Sequence, residues 1–212
     1  NAYNNFQNKQ FQKIKNIFNN KKIIFSLANS MGLVLGNKYH HDLVRPGISL
    51  YGGHHDNAKL KKLIKPIVKL KAQVLQIKKI SKNEYIGYNQ TYKTNKSIYI
   101  AIIGIGYGDG ISRKLSNNGY VYYKDYKFKI LGRVSMDSIT IDISKSKYNI
   151  KEGMYIDFIN YTYGIESFAK QCHTISNEII AELWNGSSGR SFRPLARALY
   201  LLDDSSFPVP HM

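Results

Sequence analysis

The sequence is poor in cysteine and has no long apolar run. Its single cysteine, Cys172, excludes an internal disulfide, which is typical of a reducing compartment, so the cytoplasm is the expected location. No apolar stretch approaches the roughly 20 residues that a membrane helix needs, and the Asn- and Lys-rich start has no signal-like segment. These absences predict a soluble protein with no membrane partner.

Acidic residues are also scarce, because 14 Asp and Glu stand against 31 Lys and Arg and give a formal net charge of +17. Such a charge is compatible with nucleic acid, whose phosphates attract basic chains. Yet only six of the 31 basic residues are Arg, and the lysines are spread along the chain among abundant Asn, Ile and Tyr. This composition is typical of AT-rich coding sequence and makes nucleic-acid binding the weaker interpretation.

The first part of the chain has the pattern of alternating helix and strand. Residues 4–19 carry apolar side chains at helical spacing and predict one amphipathic helix. A short β-branched strand is predicted at 22–27, and a second extended segment at 41–44 leads into the turn Arg45-Pro46-Gly47. This order predicts that residues 1–58 form the end of a β/α barrel.

From about residue 65 the pattern changes to strands separated by turn signals such as Asn117-Asn118-Gly119. The strands are predicted at Pro66–Ile80, Ser97–Gly106, Tyr120–Leu131, Ser138–Ile143 and Met154–Asn160. A last helix is predicted over Ser176–Trp184, with Thr174 or Ser176 as its cap. Residues 59–185 are therefore expected to form an antiparallel β domain, and the fold class is α/β plus all-β.

The final segment, 186–212, differs in composition from the rest. It has no lysine, but it holds half of the arginines and three of the five prolines, and it starts with the linker-like Gly186-Ser187-Ser188-Gly189. The shift predicts a non-native end, such as a fusion join or a frameshift. A native but divergent terminus is the alternative.

Four short motifs contain the residues with the most chemistry. They are Ala28-Asn29-Ser30, Leu43 to Gly52, Ile86 to Tyr92, and Ile105 to Gly110 completed by Gly132 to Asp137. Taken singly, each has a structural explanation: Arg45-Pro46-Gly47 is a turn, and Tyr88 and Tyr107 are ordinary strand residues. The glycines before residue 110 do not make a dinucleotide-binding loop, because the third glycine of that motif falls on Asp109.

Together, in this order and spacing, the motifs resemble the C-terminal signature of alanine racemase over residues 22–160. The resemblance implies an isomerase that interconverts L-alanine and D-alanine on pyridoxal 5'-phosphate and supplies D-alanine for bacterial peptidoglycan. In that family the amino acid forms an imine with the cofactor, whose ring spreads the charge left by the departing α-proton. A homodimer is also implied, since each site takes residues from both subunits.

The resemblance assigns roles at the cofactor. Tyr88 matches the tyrosine base that reaches in from the partner subunit, opposite a lysine that also holds the cofactor. Arg45 matches the arginine that faces the pyridine nitrogen, and because a guanidinium does not give up its proton, that nitrogen stays unprotonated. Ser30 and the backbone N–H groups of Gly47 and Ile48 resemble the phosphate cradle.

It also assigns roles at the substrate. The Met136 N–H matches a contact to the substrate carboxylate from the partner subunit, with Asp137 beside it in the same motif. Tyr107 corresponds to a gate at the substrate entrance, and Arg113 and Arg133 line the same corridor. No metal site is expected.

The chain departs from the family pattern at several places. Asn89 stands for a usual glycine, Gly108 replaces a common alanine, and one extra residue separates the Tyr107 and Met136 motifs. Arg190-Ser191-Phe192-Arg193 imitates a terminal phosphate-binding pattern but comes too late, so it is assigned no contact. Nothing matches the cofactor lysine of the family, so the barrel is expected to be truncated and the isolated chain to be inactive.

Other functions stay open at this point. A racemase of the same fold for serine or a basic amino acid is one alternative, because the motifs report the cofactor and base more than the side-chain pocket. A basic, tyrosine-rich β domain that binds single-stranded nucleic acid is a second. A gene product without function is a third, consistent with the unmatched lysine and the atypical tail.

Overall fold

The computed structural model describes residues 2–18, 22–188 and 198–202. The chain forms two compact units, Asn1–Lys65 and Pro66–Met212. A compact unit is defined by its internal contacts, whereas a domain must also be able to fold alone. The domain boundaries predicted after residues 58 and 185 therefore stay predictions. None of the helices within the described ranges combines the length and the apolar character that crossing a membrane requires.

The first unit begins with helix α1, Ala2–Ile17, which confirms the predicted amphipathic helix. None of its residues is buried, and large apolar side chains remain exposed. Polar contacts hold the helix: the Tyr39 hydroxyl donates to Asn5 Oδ1 at 2.6 Å, and Lys15 Nζ lies 2.9 Å from Asp42 Oδ1. The hydrogen bond from Lys15 lowers the pKa of the Asp42 carboxyl from its ordinary value.

The two strands predicted in this unit, at 22–27 and 41–44, are not formed in the described residues, so that prediction is wrong. The segments are hydrogen-bonded to one another without making a ladder. His41 adopts a positive φ of 53°, which breaks the extended backbone. In addition, the Asp42 carboxylate accepts the Phe25 N–H at 3.0 Å, a donor that a neighbouring strand would need.

Short helical segments complete the first unit. They are the 3-10 turns Gly32–Leu35, Asn37–Tyr39 and Ile48–Tyr51, and helix α2, Ala58–Leu63, which the sequence did not predict. Asn57 caps helix α2, because its Oδ1 accepts the N–H groups of Lys59 and Leu60 at 3.0 and 3.1 Å.

The second unit is built mainly from antiparallel strands. They are β1 Val68–Ile80, β2 Tyr85–Ile86, β3 Tyr92–Lys93, β4 Ile98–Ile103, β5 Tyr120–Tyr123, β6 Tyr126–Leu131, β7 Ile139–Asp142, β8 Tyr155–Ile159 and β9 Ala198–Leu202. Four predicted strands are confirmed as β1, β4, β7 and β8. The strand predicted at 120–131 is instead the hairpin β5–β6, because Lys124 adopts a positive φ of 53°. The small pair β2–β3 was not predicted.

Strand β1 closes the main sheet because it pairs on both sides. From Leu70 to Gln73 it pairs with β8, and from Val74 to Ile80 it pairs with β4. The order β4-β7-β6-β5-β8-β1 therefore returns to β4. A register shift between Val74 and Gln76 lies at the start of the half that pairs with β4, as a β-bulge does at the corner of a barrel. The predicted antiparallel β domain is thus confirmed.

One large core cluster stabilises this sheet. Alternate residues of β1, namely Leu70, Ala72 and Val74, are at most 1% exposed. They belong to the same cluster as Phe128, Phe158 and Phe168, the last from helix α3, Ile165–Gln171, which the sequence did not predict. Burial raises the pKa of the Cys172 thiol in this cluster to about 12, so the thiol is a packing group and not a nucleophile.

Helix α4, Ser176–Ser188, confirms the last predicted helix and extends it. The linker interpretation is wrong for residues 186–188, because they form the end of this helix. Neither predicted cap is formed: Ser176 Oγ is buried with no hydrogen-bond partner among the described residues, and the Thr174 hydroxyl donates to the Glu178 carboxylate.

Part of the atypical tail joins the sheet. Strand β9 pairs antiparallel with β1, from Val68 opposite Leu202 to Ala72 opposite Ala198. The remaining tail residues, including the Arg190-Ser191-Phe192-Arg193 pattern, lie outside the described residues. The origin of the tail stays a prediction.

An exposed polar network fixes the β5–β6 hairpin. Asp125 at its turn accepts from Lys147 Nζ and from the Tyr148 hydroxyl, each at 2.5 Å. These hydrogen bonds, Lys147 first, lower the pKa of the Asp125 carboxyl to about 2. Lys124 Nζ also lies 4.9 Å from the centroid of the Tyr148 ring, a cation–π distance.

This network predicts a dependence of stability on acid. Since the folded pKa of Asp125 is depressed, its stabilisation is present above the unfolded pKa of roughly 3.9 and is lost as the pH falls through about 2. We expect the free energy of unfolding, measured by urea denaturation between about pH 5 and pH 2, to fall less steeply for Asp125→Asn than for the parent. Because the carboxylate is exposed, added salt should shrink the difference. If the free energy of unfolding falls with the same slope against pH for both proteins at low salt, the network does not stabilise the fold.

Two leucines on β1 test where the core lies. Leu70 is 0% exposed, whereas Leu75 is 40% exposed on the same strand. We expect Leu70→Ala to lower the free energy of unfolding by about 2–5 kcal/mol, because it removes buried methyl groups and leaves a cavity. Leu75→Ala is the matched control and should cost much less. Similar losses for both variants in urea denaturation would place the core elsewhere.

Candidate active site

Ser30 lies at the centre of a cluster of hydrogen-bond donors in the first unit. Its buried Oγ accepts from the Gly47 N–H at 2.8 Å, the Ser49 N–H at 3.3 Å and the Ser49 hydroxyl at 3.1 Å. A hydroxyl has two lone pairs and one proton, so these donors fill its acceptor capacity and its own O–H needs another acceptor. The Ile48 N–H also has no acceptor among the described residues. The Ser30 O–H and the Ile48 N–H are therefore the donors of this cluster that can bind an anionic oxygen.

Ser26 holds the Arg45 guanidinium in place. Arg45 Nη1 donates to the Ser26 carbonyl at 2.9 Å and to the Ser26 hydroxyl at 2.6 Å. The Arg45 backbone forms a parallel bridge with Asn29, which precedes Ser30, and its N–H donates to the Ala28 carbonyl at 2.8 Å. Because a guanidinium has five N–H donors, it can bind a further acceptor while Ser26 fixes its orientation.

In the second unit, Tyr88 begins the 3-10 turn Tyr88–Gln90 between β2 and β3. Its side chain is 71% exposed. It borders a groove with a volume of about 370 Å³, whose other lining residues are Gly87, Arg133, Ser135, Ser138 and Thr140. The groove brings together a phenol, a guanidinium and three hydroxyl side chains, a set of donors that can bind a carboxylate.

Two glycines let the loops around this groove touch. Gly87 has a φ of 78° and Gly132 has a φ of 72°, conformations that favour glycine. A Cβ on Gly87 would lie 2.9 Å from the Arg133 backbone nitrogen, and a Cβ on Gly132 would lie 2.7 Å from the Ile86 carbonyl oxygen. The contact therefore requires glycine on both sides, and it sets the Tyr88 turn beside Arg133.

Met136 and Asp137 occupy the tip of a turn that two serines close. The Ser135 N–H and hydroxyl donate to the Ser138 carbonyl at 3.1 and 2.8 Å, and the Ser138 N–H donates to Ser135 Oγ at 3.1 Å. Met136 is half exposed, and its N–H has no acceptor within the described part of the chain. The turn thus presents a backbone donor of the kind that the predicted carboxylate contact needs.

The Tyr107 turn packs against the Met136 turn. The Tyr107 N–H donates to the Ser135 carbonyl at 2.9 Å. A Cβ on Gly106 would lie 2.3 Å from that carbonyl oxygen, so this approach also requires glycine. The Arg113 guanidinium carbon lies 5.6 Å from the centroid of the Tyr107 ring, within cation–π range.

The predicted site residues divide between the two units. The first unit contains Ser30, Arg45, Gly47 and Ile48, and the second contains Tyr88, Tyr107, Arg113, Arg133, Met136 and Asp137. Tyr88 and Arg133 share the groove, and Tyr107 lies with Arg113. The described residues that line the groove do not include Tyr107, Arg113, Met136 or Asp137. The roles of all ten residues stay predictions.

Sequence reasoning missed several hydroxyl side chains. Ser26 orients Arg45, Ser49 donates to Ser30, and Ser138 and Thr140 line the groove. A signal existed for the last two, because they directly follow the Gly132 to Asp137 motif and, two residues apart in extended chain, share one face. Ser49 lies within the Leu43 to Gly52 motif, but Ser26 had no such signal, since its contact is with Arg45, 19 residues away.

Comparison with known proteins gives one family. Residues 67–188 match the family model described as alanine racemase, C-terminal domain, and residues 1–55 match the one described as alanine racemase, N-terminal domain. The alanine racemase of Brucella ovis is 41% identical over 177 residues, which cover 77% of this chain and 45% of that protein. The alanine racemase of Rickettsia canadensis is 37% identical over 186 residues, which cover 87% of this chain and 50% of that protein.

Solved structures agree. The alanine racemase from Bartonella henselae with covalently bound pyridoxal phosphate matches with a TM-score of 0.76 and 35% identity, over 86% of this chain and 50% of that one. The alanine racemase of Clostridium difficile 630 in complex with cycloserine matches with a TM-score of 0.74 and 26% identity, again over 86% and 50%. The chain therefore spans about half the length of the relatives it matches.

The close contact at Gly132 can be tested against a second glycine. Gly153 also has a positive φ, 87°, but a Cβ there would meet only a side-chain atom of Gln73 at 3.9 Å. Alanine at either position imposes about 1–2 kcal/mol of left-handed strain. Only Gly132→Ala adds the collision with the Ile86 carbonyl, so we expect it to lower the free energy of unfolding more than Gly153→Ala. Equal losses in urea denaturation would show that the loops do not touch there.

Proposed function

The chain belongs to the alanine racemase family, and from that premise we propose that it is part of an enzyme that interconverts L-alanine and D-alanine with pyridoxal 5'-phosphate. The observation that carries the proposal is the groove in which Tyr88 and Arg133 meet. A guanidinium can bind an amino-acid carboxylate, and a phenol beside it can exchange a proton with the α-carbon.

The residues of the first unit fit the cofactor. Ser30 and the N–H groups of Gly47 and Ile48 would hold its phosphate. The Ser30 O–H and the Ile48 N–H, which have no acceptor among the described residues, support this, and the Gly47 N–H, which donates to Ser30 Oγ, would have to change its acceptor. Arg45 would donate to the ring nitrogen, and its two hydrogen bonds to Ser26 support a fixed orientation. When bound, the cofactor supplies an electron sink for the charge left by the α-proton. A guanidinium keeps its own proton, so Arg45 would leave the ring nitrogen unprotonated.

The residues of the second unit would handle the substrate. In this proposal the Tyr88 oxygen, once deprotonated, takes the α-proton from one face of one enantiomer, and once protonated it gives a proton to that face in the reverse direction. The family's lysine, which nothing in this chain matches, would exchange the proton on the opposite face. The Met136 N–H, with Asp137 in the same turn, contacts the substrate carboxylate, and its unmatched donor supports that role. Tyr107 and Arg113, held together by their cation–π contact, control entry along a corridor that Arg133 also lines.

We also infer the assembly that these roles need. We assign residues 1–58 to the end of a β/α barrel, and the exposed apolar side chains of helix α1 support this, since they would pack against neighbouring barrel elements. Tyr88 and Met136 serve the site of a second copy, so the enzyme is a homodimer. It acts in the cytoplasm and supplies D-alanine for peptidoglycan. Family membership does not favour the nucleic-acid alternative.

A chimera tests the proposed activity. The chain matches 45% of the Brucella ovis alanine racemase. In the chimera, the residues of this chain replace the matched region of that enzyme, and D-alanine formation from L-alanine is measured. We expect the chimera to be active and its Tyr88→Phe variant to lose about 10²–10⁴-fold in kcat, the usual worth of a general base. Tyr85→Phe, a half-exposed tyrosine on β2, is the matched control and should keep full activity.

Two outcomes would contradict the proposal. A folded chimera without racemase activity would show that this chain does not take part in the racemase reaction. A Tyr88→Phe chimera as active as the Tyr85→Phe control would show that another group moves the proton.

A further inference from the structure

Two neighbouring side chains hold the backbone on both sides of Arg133. The Gly132 N–H donates to Asn117 Oδ1 at 2.7 Å, and the Val134 N–H donates to Ser116 Oγ at 3.1 Å. The N–H groups before and after the guanidinium-bearing residue are therefore both bound by side chains from one short loop. Side chains here replace the partner strand that would otherwise accept these donors.

The same pair reaches two further functional segments. Ser116 Oγ donates to the Arg113 carbonyl at 2.6 Å, which fixes the turn that bears the corridor arginine. Asn117 Nδ2 lies 3.4 Å from the Thr91 carbonyl, at the end of the turn that bears Tyr88. Ser116 and Asn117 thus connect the segments of Tyr88, Arg113 and Arg133, although neither side chain lines the groove among the described residues.

Asparagine is chemically suited to its place in this arrangement. Asn117 has a φ of 60°, a left-handed conformation that asparagine tolerates better than most residues. Its own N–H donates to the Gly132 carbonyl at 3.0 Å, so backbone and side chain together grip one residue. Its amide also supplies an acceptor and a donor at once. Aspartate offers only the acceptor, and glycine offers neither.

We propose that Ser116 and Asn117 are a positioning pair that sets the Tyr88 turn and the Arg113 turn against Arg133. This inference rests on the proposed function, because it names what places the residues of that site. Neither side chain lines the groove among the described residues, and each acts through the backbone beside Arg133, at Gly132 or Val134. A purely structural role would be confined to the Gly132 loop, whereas a positioning role extends to Tyr88.

The test reads the position of residue 88 directly in the full chain. A 3-fluorotyrosine is placed at position 88 alone, its fluorine NMR signal is recorded, and amide hydrogen exchange is followed at Gly132. The key variant is Asn117→Asp, which keeps the oxygen that accepts the Gly132 N–H and loses the donor to Thr91. The matched control is Asn118→Asp, which adds the same charge one residue further along.

We expect Asn117→Asp to shift, split or broaden the fluorine signal at position 88 while the exchange of the Gly132 amide stays as in the parent. Asn118→Asp should change neither. Asn117→Gly tolerates the left-handed backbone but has no side chain, so it should change the fluorine signal and also speed Gly132 exchange roughly tenfold, through the lost hydrogen bond. If the aspartate variant does not fold, the fluorine signal of the Asn117→Gly variant shows whether Asn117 positions Tyr88.

An unchanged fluorine signal at position 88 in a folded Asn117 variant overturns the positioning role, even if Gly132 exchange rises. The measurement needs neither cofactor nor turnover. Its failure is therefore distinguishable from failure of the proposed function, which the Tyr88→Phe chimera decides alone.

Discussion

The contact between the backbones of Gly87 and Gly132 is the constraint on which the candidate site depends. With a Cβ on either residue the two loops would be pushed apart, because the atoms in the way are the Arg133 nitrogen and the Ile86 carbonyl, which belong to the backbone and cannot rotate aside. Tyr88 and Arg133 directly follow these glycines in sequence. Their side chains meet in one groove because the two main chains come so close.

The closed sheet makes this approach possible. Strand β1 pairs with β8 in its first half and with β4 in its second, so the sheet has a continuous buried face of which Leu70, Ala72 and Val74 are part. A rigid scaffold of this kind can carry loops whose conformations serve binding and not stability. Hydrophobic burial thus fixes the strands, and hydrogen bonds and glycine contacts then fix the turns that bear Tyr88, Tyr107 and Arg133.

The first unit is held together differently. Few of its described apolar residues are buried, and helix α1 contacts the rest of the unit through hydrogen bonds, the Lys15–Asp42 ion pair and ring contacts of Phe11 with Phe25 and His41. Exposed ion pairs contribute little stability, so the Lys15–Asp42 pair adds less to this unit than buried apolar packing adds to the second. Its polar groups are nonetheless ordered where chemistry is expected: Ser26 orients Arg45, and three donors converge on Ser30. The first unit therefore has few buried apolar residues but several hydrogen-bond donors held in fixed orientations.

The sequence by itself determined helices α1 and α4, four of the strands and the motifs that contain Tyr88, Arg133 and Ser30, because local periodicity and residue type follow from short stretches of chain. Tertiary structure decided the rest. Residues 120–131 bend into a hairpin because Lys124 adopts a positive φ. Residues 22–27 form no ladder because the Asp42 carboxylate accepts the Phe25 N–H. The contacts of Ser26 and Asn117 likewise join residues far away in sequence, which no local pattern encodes.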